Sequence, residues 1–454
     1  MSFPSKVGSA TLDLTFAGML KSLKQAIVNF KDKRRGKNSQ YSMEDAVLSG
    51  FSIFYLQCPS FLSYQQAMEN DKGNNNARTL FGINKIPSDN QVRNLLDEGS
   101  PNILFSVFED IFNAICSAGW IKNFRGKTNS LLLAFDGVQH HHSHKIQCGE
   151  CKKTTHHNGS ISYSHSMVTA VLVKPDCPHV LNLPPEFIVP QDGHLKQDCE
   201  IEGAKRWLNQ HASKYNAHGP ITILGDDLYA HQPFIEALKK EKLHFILSCL
   251  PGSHKTLYEF IEGLRSENFI ESVEVKRWTG KRHEFDTYIY INEVPLKDGK
   301  DALRVNFCEL ITKDANGKIL FKNAYITDYK IDAENVADIV KDGRTRWKTE
   351  NENNNTLKRQ GYNLEHNFGH GKKYLCNVLA TLNLIAFLFH TILAISSQAY
   401  HEIRKHIGAR QRLFEHLRIL VHYILFESWD DLMSFILKEL KIKSFQETFV
   451  PGLG

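Results

Sequence analysis

Apolar residues recur at steps of three and four through most of the first 125 positions, as in Ala46, Leu48, Phe51, Ile53, Phe54 and Leu56, then Ile103, Leu104, Val107, Phe108, Ile111 and Phe112. That spacing predicts amphipathic helices. The polar stretch 70–77 reads as a loop between them, and Ser88, with Gln91 three residues on, predicts a helix start through a capping box. After residue 125 the pattern changes. Short apolar runs at 131–135, 167–173 and 221–224 alternate with a helical stretch at 204–215, which predicts an α/β arrangement around a mixed sheet. Beyond Phe245-Ile246-Leu247 come β-type runs, at 273–275, 287–291, 305–307 and 325–327, parted by turns such as Ala315-Asn316-Gly317. From Val336 the pattern is helical to the tail. Four regions follow: 1–125 helical, 126–250 the first part of an α/β core, 251–335 a β-rich insertion, and 336–454 a helical completion of the core.

One segment, Leu375–Ser396, approaches the length of a bilayer span. Asn377, Asn383 and His390 interrupt it, which predicts a helix buried in a large core and no membrane partner. The balance of 55 Lys+Arg against 50 Asp+Glu leaves +5, so any phosphate-binding surface must be a local patch. The basic run Lys31, Lys33, Arg34, Arg35 and Lys37 is one candidate, and the solvated loop is its bland alternative. Nine scattered cysteines, with no signal peptide in view, predict reduced thiols in a cytoplasm.

Three acids carry the candidate chemistry. Asp136 follows 131–135, Asp226 follows 221–225, and Glu350 lies in Arg346-Trp347-Lys348-Thr349-Glu350. Strand ends are where an α/β sheet holds its ligands, so the sheet would present both aspartates at one edge. Asp227 is expected to cap the helix that follows. On a helix Arg346 and Glu350, four apart, share a face, so the guanidinium can orient the carboxylate or bind a phosphate. Glu352 is the alternative third acid. Converging carboxylates suit two divalent cations about 3.5–4 Å apart, the arrangement that serves phosphodiester cleavage. The first turns of the helix after Ser88 carry Asn90, Gln91 and Arg93, side chains able to read bases or merely to be solvated.

In order, Phe135-Asp136-Gly137, Leu224-Gly225-Asp226 and Arg-x-x-x-Glu with a later Lys resemble the DDE transposases of bacterial insertion sequences, in particular the group with a β-rich insertion between the second Asp and the Glu. The downstream stretch 360–371, from Gln360 to Gly371, looks like a signature of one branch. The resemblance implies a ribonuclease H-like mixed sheet core with an inserted β-rich subdomain and an N-terminal helical domain. It also implies binding to terminal inverted repeats, and cleavage with strand transfer using two Mg2+ (or Mn2+) ions. Asp136, Asp226 and Glu350 would be the metal ligands, and Arg346 and Lys358 would touch transposon-end DNA. The partners implied are double-stranded DNA, as element end and as target, and a second copy of the chain on that DNA, in a bacterial cytoplasm at the nucleoid. A nuclease on the same core, without strand transfer, is the alternative. The family's Tyr-x-x-Arg spacing puts tyrosine where Gly343 stands, and its lysine falls where Leu357 stands. In relatives an aromatic residue of the insertion stacks on a flipped base, a role open to Trp278, which could equally pack beneath a hairpin.

A second constellation is His140-His141-His142-Ser143-His144, then Cys148-Gly149-Glu150-Cys151 and His156-His157. Cys148, Cys151 and His156 could hold a structural Zn2+, with no fourth ligand evident. Two free thiols beside a histidine-rich loop is the other reading.

Overall fold

The computed structural model describes residues 12–34, 40–190, 196–267 and 269–442. Helices α1 (Phe16–Ile27), α2 (Met43–Tyr55), α3 (Phe61–Met68), α4 (Asp71–Phe81), α5 (Asp89–Leu96) and α6 (Phe105–Ser117) come first. Strands β1 (Leu131–Ser143), β2 (Lys152–Thr155), β3 (Ile161–Val173), β4 (Leu181–Asn182) and β5 (Glu186–Phe187) follow, then α7 (Lys196–Asn216), β6 (Ile221–Gly225), α8 (Gln232–Lys240), β7 (His244–Ser248) and α9 (Lys255–Ser266). Next are β8 (Glu271–Trp278), β9 (His283–Pro295), β10 (Arg304–Asp314), β11 (Ile319–Thr327) and α10 (Val336–Arg344). The chain closes with α11 (Asn355–Arg359), α12 (Leu375–Ser396), α13 (Gln398–Ile407), α14 (Arg410–Tyr423) and α15 (Trp429–Glu439). These elements form two compact units, one of residues up to 123, 139–165 and from 355 onward, the other of 124–138 and 166–354.

The first unit is helical. Helices α1 to α6 share this unit with the C-terminal helices α11 to α15. The reason lies in α2 and α12, each buried along nearly its whole circumference, which leaves neither a face for water. Gly50 of α2 allows the close approach, since a Cβ there would lie 3.1 Å from Leu382 Cδ1 of α12. Phe16 stacks on Trp429 at 4.8 Å and meets Tyr55 at 4.9 Å, while Phe51 meets Phe389 at 5.0 Å. The polar residues of α12 are bonded rather than exposed: Asn383 Nδ2 donates to the Tyr362 carbonyl at 2.8 Å, and the Tyr362 hydroxyl and His390 Nδ1 are 2.6 Å apart.

The stretch 70–77, expected as a loop, is most of α4. Asn70 caps it through Gly73 N, and Asn76 is fully buried, donating to the carbonyls of Val421 and Ile424 and accepting from Phe426 N. Tertiary hydrogen bonds at the end of α14 thus outweigh the weak helix propensity of the asparagines. In the basic run, Lys33 pairs with Glu98 and Arg34 with Asp32; Arg35 and Lys37 lie outside the described residues.

The second unit is built on a sheet. β1 pairs parallel with β6, and β6 parallel with β7; β7 then takes β11 antiparallel, followed by β10, β9 and β8. The β-rich insertion is therefore continuous with the central sheet and begins with helix α9. Asp314 closes the Ala315-Asn316-Gly317 turn by accepting from Asn316 N and Lys318 N, with Gly317 at φ +82°. Trp207 of α7 is fully buried against Phe135 of β1, and its indole N–H donates to the Pro184 carbonyl at 2.8 Å.

Asp97, just past α5, organises the start of α12. Burial acts against its charge, yet N–H donors of Lys372, Leu375, Lys373 and Tyr374 hold its carboxyl below the ordinary value. A depressed carboxyl stabilises the fold above its unfolded pKa and ceases to do so as pH falls through the folded one. Asp97→Ala is expected to lose about 2 kcal/mol at neutral pH in urea unfolding. The gap from the unsubstituted protein should shrink below about pH 4; a gap that stays constant would refute the charge-based account.

Candidate active site

Parallel pairing sets the positions of the two aspartates. The β1–β6 register runs Leu131↔Ile221 to Ala134↔Leu224, so Asp136 and Asp226 each lie two residues past the last paired position, side by side at the C-terminal edge. β1 does not stop there but runs on to Ser143, so His140, His141 and His142 are strand residues and not loop. Asp226 caps the short turn Asp227–Tyr229 by accepting from Leu228 N at 3.0 Å. That is the role expected of Asp227, whose carboxylate instead takes Leu250 N, Ser253 Oγ and His254.

The third acid arrives on α10 and its continuation. Fully buried Asp342 accepts from Lys127 N, Thr128 N and Thr128 Oγ1, each at 2.8 Å, which ties α10 to the turn ahead of β1. Gly343 lies against β7 and β11: a Cβ would be 2.8 Å from Ile246 Cγ2 and 3.0 Å from the Tyr325 ring. A tyrosine has no room there.

The regular helix expected through Arg346 and Glu350 is broken. It turns at Thr345 and Arg346, then widens into a π-helical segment, Thr349–Asn354. The asparagines explain this. Asn354 Nδ2 donates to Asp136 Oδ2 at 2.5 Å, and Asn353 Nδ2 donates to Asn354 Oδ1 at 2.9 Å. The widened turn, common at functional sites, aims Asn354 at the first acid. Glu350 is exposed, whereas Glu352 faces Lys348 at 3.5 Å. Among the described residues no ion pair joins Arg346 to Glu350.

Sequence reasoning missed Glu200 of α7. It is buried, its Oε1 accepts from the Tyr229 hydroxyl at 2.9 Å, and its Oε2 comes so near Gly137 that a Cβ would be 2.1 Å away. Glycine after Asp136 was the one available signal. Burial and the charge of Glu200, with those of Asp226 and Glu350, push the Asp136 carboxyl up to about 6 against the pull of Arg346. Glu350 is thus felt at Asp136. The carboxylates share a field, but among the described residues the one group of three or more ligand atoms within 4.8 Å of one another is a different one.

That set is Cys148, Cys151, His165 and His370. His156, expected with the cysteines, instead has its Nε2 2.9 Å from Ser162 Oγ. Arg93, expected at bases, is occupied: Nε donates to the Phe368 carbonyl at 2.9 Å, Nη1 pairs with Asp89 at 3.1 Å, and the guanidinium lies over Phe61. Lys358 pairs with Glu365 at 2.8 Å. Trp278 ends β8 with 60% of its surface exposed beside His283, so it does not pack beneath the hairpin. No protein-family model matches the chain, and no curated protein matches it.

An unfolded aspartate ionises near 3.9. Between there and about 6, folded Asp136 keeps a proton that the unfolded chain has released, so its contribution to stability is present at low pH and lost as pH rises. With chelator present, Asp136→Asn should escape this loss and gain about 3 kcal/mol on the unsubstituted protein between about pH 4 and 7. Urea unfolding across that range would show parallel curves if Asp136 ionised in the folded chain as it does in the unfolded one.

Proposed function

We propose that the chain is a DNA transposase of the DDE type, with a ribonuclease H-like core, binding element ends as duplex DNA and acting as a dimer on them. One observation carries this reading. Asp136 and Asp226 stand at equal offset on neighbouring parallel strands, and Asp136 senses both Asp226 and Glu350. A sheet whose parallel strands β1 and β6 deliver acids to their C-terminal edge, with a third acid on a following helix, suits the core that the resemblance implies.

The donors are all carboxylate oxygens, hard ligands that suit Mg2+ or Mn2+. The Asp136 carboxyl resists ionisation because it is buried and negative charge crowds it, which a cation would relieve. Bound there, a pair of such ions activates the attacking oxygen and stabilises the leaving one. Asp136 would bind through Oδ1, since Oδ2 is held by Asn354, and Asp226 through Oδ2, since Oδ1 caps Leu228. Glu350 would supply the remaining ligand. Arg346, whose charge reaches Asp136, would meet a phosphate. Two in-line displacements then follow. Water attacks phosphorus at the element end and the 3′ oxygen leaves with a proton; that 3′ hydroxyl attacks a target phosphodiester and displaces another 3′ oxygen. Exposed Trp278, flanked by Lys276, Arg277, Lys281 and Arg282, suits stacking on an unpaired base, although Arg277 is already paired with Glu284 and Asp286.

The test uses duplexes from the DNA flanking the reading frame, with labelled ends and a target plasmid, in Mg2+. The unsubstituted chain should cleave and join. Asp136→Asn, Asp226→Asn and Glu350→Gln should each bind the duplex within about twofold of normal and lose about 1,000-fold or more in cleavage, while Glu352→Gln keeps it. Cleavage without joined product would make the chain a nuclease. Cleavage that survives Asp226→Asn would remove the two-cation site altogether.

A further inference from the structure

The helical unit holds a second constellation that the acidic site does not use. Cys148 and Cys151 lie in the turn before β2, His165 on β3, and His370 between α11 and α12. Their ligand atoms converge: Cys148 Sγ–Cys151 Sγ 3.8 Å, Cys148 Sγ–His165 Nε2 3.4 Å, Cys151 Sγ–His165 Nε2 3.3 Å, Cys151 Sγ–His370 Nε2 3.3 Å and His165 Nε2–His370 Nε2 3.2 Å. The remaining pair, Cys148 and His370, is within 4.8 Å.

These are the edges of a tetrahedron of a particular size. Zinc–sulfur bonds of about 2.3 Å and zinc–nitrogen bonds of about 2.0–2.1 Å set a tetrahedron's S–S edge at about 3.8 Å, its S–N edges at about 3.5 Å and its N–N edge at about 3.3 Å. Each measured edge agrees to about 0.2 Å. The sulfurs are too far apart for a disulfide, which needs about 2.05 Å. The orientation of His370 suits a ligand: Nδ1 donates to the Gly371 carbonyl at 2.8 Å, which leaves the lone pair of Nε2 facing the cluster. Cys151, His165 and His370 are buried, and Cys148 N points at Cys151 Sγ at 3.4 Å, a donor suited to a thiolate.

We propose that Cys148, Cys151, His165 and His370 bind one Zn2+ in a closed, four-coordinate structural site. With every position filled by protein, no water is left to activate, so the ion serves folding and not hydrolysis. It cross-links residues 205 apart in sequence, His165 and His370. His165 is the last residue of one stretch of the helical unit, and His370 belongs to the stretch that begins at 355. The ion therefore clips together two of the three pieces from which that unit is assembled.

The test is metal analysis of the full-length protein purified without chelator, which should give about one zinc per chain. X-ray absorption should show two sulfur and two nitrogen neighbours, and Co2+ exchanged into the site should give tetrahedral d–d bands with a thiolate charge-transfer band. His370→Ala and Cys148→Ser should lose the zinc, and His156→Ala should retain it. Because the cobalt spectrum is read on the unsubstituted chain, failure of a variant to fold does not blur the result. Less than about a tenth of an equivalent of zinc before and after zinc addition would overturn the proposal. So would stoichiometric iron in its place, an octahedral cobalt spectrum, or zinc that persists in His370→Ala but not in His156→Ala.

Discussion

The register between β1 and β6 is the constraint on which the acidic site depends. Because the pairing is parallel, equal offsets from the last bonded residues place Asp136 and Asp226 abreast, without help from a loop. A shift of one residue would send one carboxylate to the opposite face of the sheet. Leu131 to Phe135 and Ile221 to Leu224 are buried on both faces, and the bond between the buried Ser130 and Thr222 hydroxyls, 2.6 Å apart, would be lost in such a shift, so packing that is useful for stability also fixes the geometry of the chemistry.

That geometry works against the fold electrostatically. Glu200 brings a further acid beneath Gly137, and burial together with that crowding holds the Asp136 carboxyl above its ordinary value. The helix bearing Glu350 is held by contacts outside the acidic site: Asp342 fastens α10 to the turn before β1, and Gly343 lets it lie directly on β7 and β11. The chain comes back toward Asp136 through the widened turn at 349–354, where Asn354 reaches the carboxylate.

Much of this was legible in the sequence, for definite reasons. Continuous apolar runs ending in Asp marked β1 and β6, and turn chemistry at Ala315-Asn316-Gly317 marked the β10–β11 hairpin. What was not legible depended on distant partners. Asn76 looks like a loop residue until the carbonyls of Val421 and Ile424 are known, and Arg93 looks like a free reader of bases until Phe368 and Asp89 occupy it. The C-x-x-C pair was visible, but its histidine partners, 14 and 219 residues away from Cys151, were not. Nearby His156 was the natural choice by proximity along the chain, and the bond with Ser162 removes it. The regular helix read through Arg346 to Glu350 failed because a run of asparagines favours bonds to side chains over an unbroken ladder.

The packing of α2 on α12 has a consequence for how the protein is made. Translation delivers roughly 5–20 residues per second, so α2 leaves the ribosome some 15–60 s before its partner helix exists. During that interval Val47, Leu48, Phe51, Ile53 and Phe54, all buried in the finished fold, are exposed to water, where chaperones or premature association would compete for them. Any early stop codon before residue 375 would yield a fragment with that surface permanently bare, and its fate would be degradation or clumping.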